Sequence, residues 1–87
     1  MKKLEYSIND PAGLHARPAS LLSREAAKYP ASISIQYGEK TANLKSIMGI
    51  MALGIRSGSK FSIIIEGEGE MAAADAIDAI LKDNNII

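Results

Sequence analysis

Ser32-Ile33-Ser34-Ile35-Gln36-Tyr37-Gly38-Glu39-Lys40 is the stretch on which the architecture turns. Ile33, Ile35 and Tyr37 alternate with Ser32, Ser34 and Gln36, the period-two pattern of a strand with one buried face and one wet face. Gly38-Glu39 fits a two-residue hairpin turn of the Gly-X kind, which leads into a short strand from Lys40 to Asn43. One-sided strands joined by tight turns belong to antiparallel sheets covered on a single face.

Working outward, Leu4, Tyr6 and Ile8 alternate in the same way before Asp10, Pro11 and Gly13 interrupt them. Phe61, Ile63 and Ile65 form the last one-sided strand. Between these strands the period changes. Pro18, Leu22, Ala26 and Tyr29, joined by Leu21, recur at helical spacing and predict a helix over 16–28. Pro18 is tolerated only in a first turn, so the helix starts just after His15. A short apolar helix from Ile47 to Leu53 follows Ser46, a preferred N-cap residue. A third helix runs from about Glu70 to Lys82 on an Ala73, Ile77, Ile80 and Leu81 stripe, with Asn84 or Asn85 closing it. The order β-α-β-β-α-β-α describes an α+β, two-layer open-faced sandwich: a four-stranded, largely antiparallel sheet with its helices on one face.

Eighty-seven residues, 47% of them hydrophobic, make one domain spanning 1–87. Lys plus Arg and Asp plus Glu balance at 10 each, whereas a nucleic-acid binder carries a basic excess. Without cysteine there is no disulfide, thiolate metal site or thiol chemistry, and the composition suits a reducing interior. No apolar run follows Lys2 and Lys3 as a signal peptide would require. The most apolar stretch, Ile47 to Ile55, falls well short of the roughly 20 residues that cross a bilayer. A cytoplasmic protein is expected.

His15, the only histidine, lies in Gly13-Leu14-His15-Ala16-Arg17-Pro18 at a loop-to-helix junction. Helix N-termini present unsatisfied amides and partial positive charge, which favour a bound anion. Arg17 adds a guanidinium suited to phosphate oxygens. A neutral imidazole is nucleophilic. Gly13 permits a sharp turn and the close approach of a partner. For an isolated histidine, a helix cap or a surface residue would be the better reading; with Gly13, Arg17 and Pro18 all in place, the set reads as a phosphohistidine site.

Ser46 has a capping role and, as an exposed cap, is also a plausible kinase target. A phosphate there adds about −1.5 to −2 charges where the helix dipole favours them. Ile47, Met48, Ile50, Met51 and Leu53 are apolar nearly all round, more than a small two-layer domain can bury. Ile50 and Leu53 are assigned to the core. Ile47, Met48 and Met51 are left as a candidate docking patch. Glu66-Gly67-Glu68-Gly69-Glu70 is glycine-rich ahead of a helix, but its carboxylates would repel phosphate. No carboxylate set has metal-ligand spacing with His15, so neither metal nor cofactor is expected.

Gly13 to Ser20 resembles the active-site segment of the histidine-containing phosphocarrier (HPr) family of the bacterial phosphoenolpyruvate-dependent sugar phosphotransferase system. Leu44-Lys45-Ser46-Ile47-Met48-Gly49 resembles the family's regulatory-serine segment in its low-GC Gram-positive form. The likeness covers the whole chain. It implies strand order 1-4-2-3 with three helices on one face. It further implies that Enzyme I phosphorylates His15 at Nδ1 and that the group passes to sugar-specific IIA domains. Arg17 would assist, and the backbone amides of Ala16 and Arg17 would hold the phosphate.

By the same resemblance, an HPr kinase/phosphorylase modifies Ser46. That slows transfer from Enzyme I and promotes binding to a catabolite-control transcription regulator. Arg24 would meet Enzyme I, but Ala27 stands where many relatives have a basic residue and Lys28 follows it. A monomeric carrier, rather than an enzyme acting alone, is expected. A purely regulatory binding module and a nucleic-acid binder are the rivals. A regulatory paralogue in the family lacks the histidine, which this chain keeps.

Overall fold

The computed structural model describes residues 1–87. Its elements follow the order β1 (Lys2–Ser7), α1 (Ala16–Ala26), β2 (Ser32–Tyr37), β3 (Lys40–Asn43), α2 (Ile47–Ala52), β4 (Lys60–Glu66) and α3 (Glu70–Asp83). The strands form one antiparallel sheet in the order β1-β4-β2-β3. Register explains the core. Ile33 pairs with Ile65, Ile35 with Ile63, Leu4 with Ile63 and Tyr6 with Phe61, so the apolar members of three strands share a face. Ile33, Ile35, Phe61, Ile63 and Ile65 are buried there with Leu22, Ile50, Ile77 and Leu81 from the helices.

Several element ends differ from the sequence reading. α1 stops at Ala26 rather than 28, because Lys28 and Tyr29 donate to carbonyls only three residues back and Tyr29 precedes Pro30. A residue before proline is driven out of the helical region. The Lys45 Nζ then donates to the Tyr29 carbonyl at 2.8 Å, and Ser23 Oγ donates to the Lys45 carbonyl at 2.9 Å. This cross-link ties the end of α1 to the entrance of α2. Ile8 lies just past β1 yet continues its pairing, exchanging backbone bonds with Ser59 and Gly58 at 2.9 Å. Gly38 takes φ 61° while Glu39 keeps an ordinary negative φ, as a Gly-X hairpin turn requires.

α3 ends in a Schellman turn. Asn84 is the C-cap and Asn85 adopts φ 56°, so Ile86 donates to Leu81 at 3.0 Å and Asn85 to Lys82 at 3.2 Å. Both asparagines take part. The turn drives Ile86 into the core and aims its carbonyl at the loop after β1. It accepts the amides of Asn9 at 2.8 Å and Asp10 at 3.2 Å. No helix is long and apolar enough to cross a membrane.

Candidate functional site

The loop from Asn9 to Leu14 carries His15 to the head of α1, and its shape follows from two local turns and one close approach by a distant segment. Asp10 closes a turn by accepting the Gly13 amide on its carbonyl at 2.9 Å. Its Oδ1 accepts the Ala12 amide at 3.0 Å, the Asx turn that aspartate favours. Gly13 has φ 72°, and a Cβ there would lie 2.6 Å from the Ile55 carbonyl oxygen. The glycine is therefore required by the chain's own packing. The sequence reading gave its openness to an incoming partner, but Gly13 is buried and the backbone that approaches it is Ile55 to Ser57.

His15 is the N-cap of α1, with extended backbone and no side-chain capping bond. The amides of Ala16 and Arg17 have no acceptor within the chain, and Pro18 has none to offer. Two unpaired donors thus stand in the turn that follows the imidazole, at the positive end of the helix dipole. Arg17 is exposed and makes no ion pair. The His15 side chain is 38% exposed, and its Nε2 lies 3.3 Å from Asp10 Oδ2. The Asp10 carboxyl is held below the usual carboxylate range, first by the Ala12 amide and then by His15 and Arg17. A half-exposed nucleophilic imidazole, two open amides and a guanidinium could together accept and hold a phosphoryl group.

Ser46 lies at the head of α2. Its Oγ accepts the Gly49 amide at 3.0 Å, and its carbonyl accepts the Ile50 amide at 3.1 Å. A helix of six residues cannot sustain itself in water, so this cap and the full burial of Ile50 hold it in place. Leu53 is also buried, while Ile47, Met48 and Met51 are exposed, Met48 to 79%. Arg24 is exposed in the last turn of α1 with no ionic partner, whereas Lys28 pairs with Glu25 at 3.0 Å. His15 and Ser46 share no hydrogen bond, and each sits at its own helix start.

Asp10 is the site residue that the sequence reading passed over, treating it only as a strand breaker. An Asp-Pro-x-Gly turn five residues before the histidine was the available signal. The glycine-rich 66–70 segment is a turn: Gly67 donates to the Glu70 carboxylate at 3.3 Å.

The family model described as the PTS HPr component phosphorylation site matches residues 2–83. A phosphocarrier protein HPr of Lysinibacillus sphaericus is 42% identical over 83 residues, covering 95% of this chain and 94% of its own. The solved histidine-containing phosphocarrier protein of Mycoplasma superposes with a TM-score of 0.97 at 42% identity, covering 99% of this chain and 98% of its own. Crh, the Bacillus subtilis catabolite repression protein solved as a domain-swapped dimer, has a TM-score of 0.74 at 31% identity and covers 95% of each chain. Fold, strand order and the match along nearly the whole sequence agree: the chain belongs to the HPr family of phosphocarrier proteins of the phosphotransferase system.

Proposed function

We propose that His15 accepts a phosphoryl group from Enzyme I and donates it to sugar-specific IIA domains. The observation that carries this reading is the placement of a half-exposed imidazole beside the two open amides of Ala16 and Arg17. In this mechanism the Nδ1 of the neutral ring attacks phosphorus in line with the departing donor. The open amides and the Arg17 guanidinium take the charge on the phosphoryl oxygens. Positioning and electrostatics supply most of the assistance, and the N–P bond stays labile enough for onward transfer. The chain is a covalent intermediary that is regenerated each cycle.

Ser46 is the regulatory site in this reading, modified by an HPr kinase/phosphorylase. Phosphate on its Oγ adds charge beside the exposed Ile47, Met48 and Met51, which with Arg24 form the docking surface. The added charge then slows exchange with Enzyme I and favours a catabolite-control transcription regulator. We take the working unit to be a cytoplasmic monomer.

The test is transfer from phosphoenolpyruvate and Enzyme I to the purified protein, with mapping of the modified residue. Acid-labile, alkali-stable label on His15, absent from His15→Ala, is the expected result. No label from a demonstrably active donor would leave only the regulatory-module reading. Ser46→Asp is expected to slow the same transfer, and unchanged kinetics would count against charge repulsion.

A further inference from the structure

We infer that Asp10 is a positioning residue for phosphoryl transfer: its carboxylate holds the proton of His15 on Nε2 and so presents Nδ1 as the nucleophile. This rests on the reading of His15 as the acceptor. The geometry is asymmetric about the ring. Nε2 has Asp10 Oδ2 at 3.3 Å, while Nδ1 has no partner in the chain. An ionised carboxylate can only accept, so the ring nitrogen facing it has to carry the hydrogen. The hydrogen bond made by one imidazole nitrogen then sets the state of the other.

Asp10 is itself held from three sides. Oδ1 takes the Ala12 amide at 3.0 Å, its carbonyl takes the Gly13 amide at 2.9 Å, and its amide donates to Ile86 at 3.2 Å. Its side chain is only 13% exposed, so a docking protein meets the His15 ring rather than the carboxylate behind it. A polar group restrained this way has little freedom to leave the ring.

The transfer step balances without a proton leaving His15. The lone pair of Nδ1 forms the new N–P bond as the bond from phosphorus to the donor's leaving atom breaks, its electron pair going to that atom. The acceptor ring keeps its Nε2–H and gains positive charge, which the Asp10 carboxylate faces directly. Reversal delivers the group onward, and the ring returns to its starting tautomer.

Asp10→Asn separates this role from loop support. The amide oxygen can still accept from Ala12, which turns its NH2 toward Nε2 and favours the tautomer protonated at Nδ1. Nitrogen-15 NMR of the neutral ring, with no donor present, is expected to show the Nε2–H to Nδ1–H ratio falling roughly tenfold, the worth of one hydrogen bond. Transfer should slow by a similar factor through kcat, with the KM for the phosphorylated donor unchanged. Asp10→Ser keeps a turn-forming hydroxyl but does not reach the ring. It is expected to give a mixed tautomer population and an intermediate rate.

An unchanged tautomer ratio in both variants would overturn the inference, whatever the rates. A slower rate with KM rising in step would reassign Asp10 to docking and overturn it as well. Failure of the wild-type protein to take label would instead sink the acceptor reading, a result the donor-free NMR measurement does not depend on.

Discussion

The Tyr6 phenol donates to Asp78 Oδ1 at 2.7 Å, fastening the edge strand β1 to the middle of α3. Burial, followed by the hydrogen bond to Asp78, pushes the phenol well above its ordinary range, so it remains a donor at any working pH. Asp78 also takes Lys82 Nζ at 2.9 Å, one turn along the helix. Tyr6→Phe is therefore expected to cost about 1–2 kcal/mol, the range for a hydrogen bond to a charged acceptor. Urea denaturation measures it, and a loss below a few tenths would mean that solvent replaces the phenol freely.

Two glycines with similar φ angles should respond differently to alanine. Gly38 has φ 61° and open space around its missing side chain, so Gly38→Ala carries only the left-handed backbone penalty, about 1–2 kcal/mol. At Gly13 the same penalty is joined by overlap with the Ile55 carbonyl at 2.6 Å. Gly13→Ala should lose more than about 3 kcal/mol and disturb the His15 loop. Thermal unfolding of the pair gives the comparison, and equal losses would show that the loop yields easily.

Neighbours on α2 divide between stability and surface. Ile50 is fully buried, so Ile50→Ala should cost about 2–5 kcal/mol. Met48 is largely in water, and Met48→Ala should stay within about 0.5 kcal/mol. Denaturant midpoints test the contrast. Weakened Enzyme I binding by Met48→Ala with unchanged stability is the expected signature of a docking residue.

At Ser46 the capping role can be separated from the proposed regulatory one. Ser46→Ala removes the acceptor for the Gly49 amide and should destabilise the protein by about 1 kcal/mol. Ser46→Asp keeps an N-cap acceptor and should retain most of that stability. Melting curves decide it, and an equally large loss in both variants would mean that the cap tolerates no change of shape.

The Asp10 carboxyl gives a sign to acid stability. Its folded-state pKa lies below the unfolded value of about 3.9, so its contribution is present above that value and is lost as pH falls through the folded one. Acid denaturation of the wild type and Asp10→Asn should therefore differ at neutral pH and converge below about pH 4. A constant gap across that range would show that the carboxyl charge plays no part.

How much of this was legible from residues alone follows the range of each interaction. The sheet was readable because Ile33, Ile35, Phe61, Ile63 and Ile65 declare their face by alternation alone. Pro18 placed the start of α1, and Ser46 placed that of α2, through local rules. The end of α1 was harder to read, because Ala27 and Lys28 are good helix formers and the break comes from Pro30 further on. The Asp10 turn was legible in Asp-Pro-x-Gly, but the contact of its side chain with the His15 ring and the bond of its amide to the distant Ile86 carbonyl were not. A glycine's permissiveness was visible at Gly13, but the Ile55 backbone that exploits it was not.

The bond from Asp10 to Ile86 has a consequence for the order of events in a cell. Translation produces the His15 loop early and its anchor almost a whole chain later, and β1 likewise waits for β4 to pair with it. A chain still lacking Ile86 therefore holds the Asp10 turn by its bonds to Ala12 and Gly13 alone. The full set of restraints on the His15 loop is complete only once Ile86 has been made and has packed.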